Sequence, residues 1–198
     1  MSKYNLDNRT CQPTIVALAG RMCSGKDTIG GIIQKELGFT HVSTSDVVRR
    51  YIVANRLGKP TRDLTRTVAC QLRDMGGADY LIKRAMSQAE PGMGGGIVLS
   101  GIYSLNEAIA FKALGGNLIG VHADSSVRRQ RVISRSRAGE DGGNFDELTL
   151  SDDGQNETDQ NLAGVLGLVD YEMSGELKLD NIADEVRLIL KSVQRRQK

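Results

Sequence analysis

Residues 15–28 read IVALAGRMCSGKDT, an apolar run that passes directly into the pattern G-x-x-x-x-G-K. The run over 15–19 is typical of a buried β-strand and is bounded by Pro13 and Gly20. After Lys26, apolar residues recur at positions 29, 32, 33 and 37, which predicts a helix that opens at the lysine. A glycine-rich turn between a strand and a helix is the setting that a phosphate-binding P-loop requires.

The turn has the chemistry of a polyphosphate site. Gly20 and Gly25 allow the backbone to curl so that successive N–H groups point at an anion. The helix N-terminus contributes a partial positive charge, and Lys26 adds a full charge that can reach the terminal phosphates. A merely tight connection is the alternative, but the complete pattern followed by lysine favours a nucleoside triphosphate or a similar ligand.

The residue after the lysine departs from the P-loop consensus. That position normally carries Ser or Thr, whose hydroxyl is a Mg²⁺ ligand. Here Asp27 stands there and Thr28 follows, and these two are the candidate metal residues. Asp27 either touches the metal through water or only stabilises the first helical turn by its charge.

Composition is typical of one small α/β domain. The chain has 198 residues, a net charge of +2 and 39% hydrophobic residues, so neither disorder nor a polyanion-coating role is indicated. No apolar run has membrane-spanning length, and the polar start predicts no signal peptide. Three widely spaced cysteines favour reduced thiols in a cytoplasmic protein. We expect disorder over 1–12 and in the tail 195–198.

Strand-like and helix-like segments alternate along the chain, which predicts a mostly parallel sheet with helices on both faces. Strands are expected at 15–19, 40–43, 97–99, 118–121 and, weakly, 168–173. Helices are expected from 26, over 46–55, 64–75, 81–89, 105–113 and 126–136, and around 182–193. The stretches 91–96 and 151–160 are predicted to be flexible loops.

A second candidate segment is HVSTSDVVRR, residues 41–50. One of its hydroxyl residues caps the following helix, which is its structural interpretation. In the functional interpretation, Arg49 binds a phosphate bidentately. Asp46 then orients or deprotonates an acceptor hydroxyl, or holds water around Mg²⁺.

A third segment is the basic helix VRRQRVISRSR, residues 127–137, in which Arg128, Arg131 and Arg135 share one face. Arginines beside a flexible loop suit a lid that closes on phosphates. The alternatives are a solvated cationic face and a nucleic-acid surface. The near-neutral net charge and 4% aromatic content disfavour nucleic acid.

In this order, the three segments resemble the nucleoside monophosphate kinases, adenylate kinase in particular. They look closer still to adenylate kinase-related and dephospho-coenzyme A kinase-like proteins. The matching pieces, which span about residues 14–190, are AGRMCSGKDT, STSDVVRR, LSGIYSLNEA and VHADSSVRRQRVISRSR. The resemblance implies one three-layer P-loop NTPase domain over 1–198, with a parallel five-stranded sheet. It also implies a helical acceptor-binding insert at 44–92 and a short lid at 131–145.

The resemblance also implies roles for individual residues. The donor nucleotide would be bound by Gly20, Met22, Cys23, Ser24, Gly25, Lys26, Asp27, Thr28 and Arg131. The acceptor would be bound by Thr44, Asp46, Arg49, Arg62, Tyr103 and Arg137. The residues expected to act in catalysis are Lys26, Asp46, Arg131 and Arg135, with Arg135 and Arg137 on the transferring phosphoryl group.

One motif departs from the family. Its third strand ends in D-G-x-R, whereas this chain has LSGIY at 99–103, so Ser100 and Tyr103 stand in place of both charges. Tyr103 can donate one hydrogen bond but cannot replace a guanidinium. Asp46 then carries the metal role, or the acceptor is not a simple monophosphate, or nucleotide binds without turnover. If metal support is missing, Ser100→Asp raises the rate; no change would mean that another carboxylate already fills that role.

The expected reaction is transfer of the γ-phosphoryl group of ATP, with Mg²⁺, to a small acceptor, first of all a nucleoside monophosphate. The alternatives are a dephospho-coenzyme A kinase and a catalytically weak nucleotide-binding regulator. We expect no membrane partner, and the sequence leaves the oligomeric state open.

Overall fold

The computed structural model describes residues 14–89, 96–135 and 161–196. Five strands form one parallel sheet in the order β2-β3-β1-β4-β5. The strands are β1 (Thr14–Ala19), β2 (Thr40–Ser43), β3 (Gly96–Ser100), β4 (Asn117–His122) and β5 (Tyr171–Ser174). The helices are α1 (Lys26–Leu37), α2 (Thr44–Ala54), α3 (Arg62–Gly76), α4 (Tyr80–Ser87), α5 (Leu105–Ala113), α6 (Ser125–Arg135), α7 (Leu162–Leu166) and α8 (Leu179–Arg196).

The central strand β1 explains the three-layer architecture. Successive side chains of a strand point to opposite faces of the sheet. Ile15, Ala17 and Ala19 join the apolar core shared with α2, α3, α4, α5 and α7. Val16 and Leu18 join the core on the other face, which α1 and α8 cover. Both faces are therefore buried, and this is why the strand is a continuous apolar run.

The predicted α/β fold with its five parallel strands is confirmed. Some boundaries differ from the prediction. Helix α2 begins at Thr44 rather than Asp46, because the Ser43 hydroxyl caps it by accepting the Asp46 backbone N–H at 3.4 Å. Helix α8 continues to Arg196, two residues into the tail that was expected to be disordered.

The fifth strand lies later than predicted, at 171–174 rather than 168–173, and the short helix α7 before it was missed. The intervening turn is fixed by Asp170, whose carboxylate accepts the Leu118 N–H at 2.9 Å and pairs with Lys112 at 2.6 Å. The predicted loop 91–96 is wrong at its last residue, because Gly96 begins β3. Residues 1–12, 91–95 and 151–160, also predicted to be disordered or flexible, lie outside the described residues.

Helices α2, α3 and α4 form the insert that the sequence assigned to acceptor binding. A buried ion pair joins this insert to α5: the Arg73 Nε of α3 donates to Glu107 at 2.8 Å. The second carboxylate oxygen of Glu107 accepts the backbone N–H groups of Tyr103 and Ser104, each at 3.3 Å. The pair therefore ties α3 to the turn that follows β3. None of the helices in the described parts of the chain is both long and apolar enough to cross a bilayer.

Candidate active site

The loop between β1 and α1 curls as a P-loop requires. Cys23 has φ 57° and Gly25 has φ 108°, both in the left-handed region, and glycine adopts that region without steric cost. Lys26 begins α1 and is 92% buried, since only 8% of its surface is exposed. Its ammonium group donates to the carbonyl oxygens of Gly20 and Arg21, each at 2.7 Å. Lys26 thus lies across the loop with one of its three N–H groups left for a ligand.

Two elements distant in sequence brace this loop from outside. Arg131 of α6 donates to the carbonyl oxygen of Cys23 at 3.1 Å and to that of Gly175 at 2.7 Å. Gly175 follows β5 and lies so close to the loop that a Cβ there would collide with the carbonyl oxygen of Ser24. The loop conformation is therefore imposed by packing as well as by its own sequence.

The residues around the loop fit a magnesium nucleotide. The Ser24 hydroxyl of the loop is buried and has no hydrogen-bond partner among the described residues. Asp27 and Thr28 are exposed on the first turn of α1 and line the adjoining cleft. Carboxylate, hydroxyl and phosphate oxygens are the donors that Mg²⁺ prefers. Both predicted metal residues thus offer oxygen atoms to this cleft.

A chain of hydrogen bonds that the sequence did not predict runs from β2 to α1. The Ser100 hydroxyl at the end of β3 lies 3.1 Å from the Asp27 carboxylate and 3.1 Å from the Nε2 atom of His41 on β2. An ionised carboxylate only accepts, and a serine hydroxyl has a single proton. Ser100 therefore donates to Asp27, and His41 donates its Nε2 proton to Ser100.

Burial lowers the pKa of His41, while the nearby Asp27 and Asp46 carboxylates oppose that shift. The lowered pKa favours the neutral ring at neutral pH, which still donates through Nε2. Gly30 of α1 leaves the space that the ring occupies, because a Cβ at this position would collide with it. No role was predicted for His41, the first residue of the segment 41–50. A glycine inside α1, at position 30, was a sequence signal that another group packs closely against that helix.

The start of α2 lines another part of the cleft. Arg49 donates to the Asp46 carboxylate at 2.8 Å, and the two side chains are 28% and 61% exposed. Separate roles were predicted for Asp46 and Arg49, but in the structure they form one ion pair. Thr44 is buried and its hydroxyl donates to the Gly101 carbonyl oxygen, so it joins α2 to the end of β3.

Two further predicted residues lie next to the P-loop. Arg62 of α3 donates to the Met22 sulfur at 2.8 Å, which brings the insert into contact with the loop. The Lys26 ammonium lies 6.0 Å from the centre of the Tyr103 ring, at the limit for a cation–π contact. Both contacts place predicted donor and acceptor residues side by side.

One cleft of about 750 Å³ brings most of the predicted site together. The predicted residues that line it are Met22, Cys23, Gly25, Lys26, Asp27, Thr28, Thr44, Asp46, Arg49, Arg62, Tyr103 and Arg131. Gly20 and Ser24 are not among the lining residues. The structure describes Arg135 only as the last residue of α6, and Arg137 and residues 136–145 of the predicted lid lie outside the described residues.

Part of the basic helix α6 packs against the rest of the protein. Arg128 is 5% exposed, and Arg131 is bound to the P-loop. These two of the three aligned arginines therefore do not form the solvated cationic face that was one interpretation of the segment. Arg73 also lines the cleft, although its sequence context gave no indication of it.

Comparison with known proteins agrees with this geometry. A family model described as an AAA domain matches residues 16–151, more than half of the chain. A shikimate kinase from Acinetobacter baumannii in complex with shikimate has a TM-score of 0.59 at 14% identity, with 92% of this chain and 95% of that chain covered. One from Aquifex aeolicus has a TM-score of 0.52 at 19% identity, with 90% and 96% covered. At these identities the two structures show a shared fold. The class is therefore that of the P-loop NTPases with a kinase-like fold.

Two proteins with a higher sequence identity to this chain show its family. A UPF0200 protein from Aeropyrum pernix is 32% identical over 175 residues, which cover 87% of this chain and 90% of that protein. A UPF0200 protein from Hyperthermus butylicus is 29% identical over 178 residues, which cover 89% and 92%. The chain belongs to the UPF0200 family.

Proposed function

We propose that this protein is an ATP-dependent phosphotransferase acting on a small acceptor. The observation that carries the proposal is one cleft with two unlike sides. Lys26 and the P-loop form the side suited to a triphosphate, and the Asp46–Arg49 pair forms the side suited to an acceptor. A nucleotide-binding protein without transfer would need only the first side.

Positioning and positive charge supply most of phosphoryl-transfer catalysis. In this proposal the loop N–H groups and Lys26 bind the β- and γ-phosphates of ATP. An acceptor oxygen attacks the γ-phosphorus in line, the bond from phosphorus to the bridging oxygen breaks, and ADP leaves. Mg²⁺, when bound, neutralises charge on the phosphate oxygens. Arg131 holds the loop in shape by donating to the carbonyl oxygens of Cys23 and Gly175.

A nucleoside monophosphate is the leading acceptor, because the resemblance to adenylate kinase extends over the P-loop, the 41–50 segment and the basic helix. Its phosphate oxygen attacks without losing a proton, and Arg49 and Arg62 are the residues that would hold that phosphate. Tyr103 would add one hydrogen bond. This acceptor requires no general base.

A hydroxyl acceptor is the second candidate, and the exposed Asp46 carboxylate favours it. A hydroxyl must lose its proton as it attacks, and an aspartate in the cleft can accept that proton. Arg49 at 2.8 Å would hold the carboxylate in place. Dephospho-coenzyme A is such an acceptor. Shikimate, bound in the kinase of related fold, is another.

The test is ADP formation from Mg-ATP with single acceptors: AMP, GMP, CMP, UMP, dephospho-coenzyme A and shikimate. We expect ADP release that depends on one acceptor class, above the rate without acceptor. Activity with a monophosphate favours the first candidate, and activity with a hydroxyl compound favours the second. ATP binding without any acceptor-dependent ADP would contradict phosphotransfer and favour a nucleotide-binding regulator.

A further inference from the structure

The carboxylate and hydroxyl beside the P-loop occupy unusual positions. In P-loop NTPases, Mg²⁺ is held by a Ser or Thr after the P-loop lysine and by an aspartate from a different segment of the fold. In this chain the residue after Lys26 is Asp27. The neighbouring strand β3, whose Ser100 pairs in register with Leu18 of β1, ends in a serine. Both chemical types are present, but neither is where the consensus places it.

The two side chains are in direct contact. The Ser100 hydroxyl donates to the Asp27 carboxylate at 3.1 Å, although 73 positions separate them in sequence. Exchanging the two residue types would therefore leave one carboxylate and one hydroxyl within the same small volume. Both residues line the cleft beside Lys26.

We propose that Asp27 and Ser100 are the metal-holding pair in exchanged positions, with the carboxylate on α1 and the hydroxyl on β3. This assignment rests on the proposed binding of ATP. Mg²⁺ in nucleotide sites is bound through one or two carboxylates together with phosphate oxygens and water. A single carboxylate on the first turn of α1 meets that requirement. It also accounts for the missing charge at Ser100.

His41 is a positioning residue in this arrangement. Its ring donates to the Ser100 hydroxyl at 3.1 Å, which leaves the hydroxyl proton directed at Asp27. The collision that a Cβ at Gly30 would make with the ring shows that α1 and His41 are closely fitted. The orientation of Ser100 is thus set from β2 and from α1.

A metal-holding carboxylate at Asp27 should affect ATP binding in a way that can be measured without turnover. Asp27 lies at the phosphate end of α1, so without metal its charge repels ATP, and with metal the same charge attracts the complex. The ratio of ATP affinity in Mg²⁺ to that in EDTA is the quantity to measure, by calorimetry on the full chain. Removing a carboxylate that only repelled phosphate would make Mg-ATP bind more tightly, whereas removing one that holds the ion weakens Mg-ATP binding.

We expect Asp27→Asn to bind ATP more tightly than wild type in EDTA and to lower the ratio about tenfold. Asp27→Ser should lower this affinity ratio as well. The double variant Asp27→Ser, Ser100→Asp should have a ratio within about threefold of wild type. The matched control is Asp63→Asn, which removes an acidic charge from the same cleft and should leave the ratio unchanged.

The assignment is wrong if Asp27→Asn keeps the wild-type ratio. It is also wrong if the folded double variant recovers nothing over Asp27→Ser. Should the double variant fail to fold, as judged by thermal melting, the Asp27→Asn result decides. Absence of ATP binding by wild type in both buffers would overturn the proposed function itself, and this outcome is distinct from binding that is unaffected at Asp27.

Discussion

The two sides of the cleft are held in place by different kinds of contact. On the donor side, Lys26 and Arg131 bind backbone carbonyl groups of the P-loop and of Gly175. On the proposed acceptor side, the Asp46–Arg49 pair lies within one turn of α2 and is partly exposed, with 61% of the Asp46 side chain and 28% of the Arg49 side chain accessible. Because these bonds end on carbonyl oxygens that every residue carries, the donor geometry depends on few side chains, chiefly those of Lys26 and Arg131. The acceptor side depends on side chains that can change without disturbing the fold, so specificity is expected to reside there.

The largest effect is expected on the donor side. Lys26→Ala removes the charge nearest the phosphates and two hydrogen bonds that shape the loop, so ATP-dependent turnover should fall about a thousandfold. The measurement is ADP release with the acceptor found above. Lys35→Ala is the control, because Lys35 lies on the same helix and is 83% exposed. A comparable loss of ADP release in both variants would show that turnover does not depend on the P-loop lysine.

The buried ion pair that ties α3 to the turn after β3 should be nearly as sensitive. Arg73→Met leaves the fully buried Glu107 without its cation and should destabilise the protein by about 3 kcal/mol, measured by urea unfolding. Adding Glu107→Gln should recover part of that loss, since the amide no longer buries a charge. Lys83→Met is the control for an exposed pair and should cost under about 1 kcal/mol. Equal losses at Arg73 and Lys83 would refute the buried link.

A backbone contact on the donor side can be broken without changing any charge. Gly175→Ala places a Cβ against the Ser24 carbonyl oxygen, so the loop must move and ATP affinity should fall about tenfold. Gly31→Ala is the matched substitution, because a Cβ there has nothing within 4 Å. The bracing of the loop is disproved if calorimetry finds the same ATP affinity in both variants.

A change confined to the acceptor side should leave ATP binding intact. Arg49→Ala removes a candidate anion contact and frees Asp46, so the KM for a monophosphate acceptor should rise about tenfold. The dissociation constant of Mg-ATP should stay within about twofold of wild type. A parallel weakening of ATP binding would show that the two sides are not separate.

The smallest effect is the expected difference in stability between alanine variants at two adjacent glycines of α1, Gly30 and Gly31. Alanine at Gly31 should stabilise the helix by up to about 1 kcal/mol. Alanine at Gly30 should be less stable than that variant by at least about 1 kcal/mol, because it displaces the His41 ring. Urea midpoints measure the difference, and the imidazole NMR signals of His41 report the displacement. Identical midpoints would mean that the ring adjusts freely.

The sequence was sufficient to predict the parallel sheet and the P-loop, because both depend on local pattern. An apolar run followed by G-x-x-x-x-G-K places Lys26 at a helix start with no knowledge of the remaining chain. The contacts that complete the site were not predictable in this way. His41 and Ser100 are 59 positions apart, and no periodicity joins them. Gly175 matters through its approach to a carbonyl group, which only the folded chain shows.

The long-range contact between Ser100 and Asp27 changes the effect expected of Ser100→Asp on the rate. With sequence alone, the missing aspartate on β3 suggested that Ser100→Asp would raise the rate. The contact with Asp27 favours the other outcome, since a carboxylate already lies 3.1 Å from that hydroxyl. A second carboxylate there would add like-charge repulsion beside the phosphates.

The most direct test of a cleft with a donor side and an acceptor side is ³¹P NMR of the wild-type protein with Mg-ATP and the acceptor panel. The account predicts that the γ-phosphorus signal is lost while one ADP and one phosphorylated acceptor form for each ATP consumed, which with AMP as the acceptor means two ADP. Release of inorganic phosphate alone, or unchanged ATP in a protein that binds it, would contradict the account.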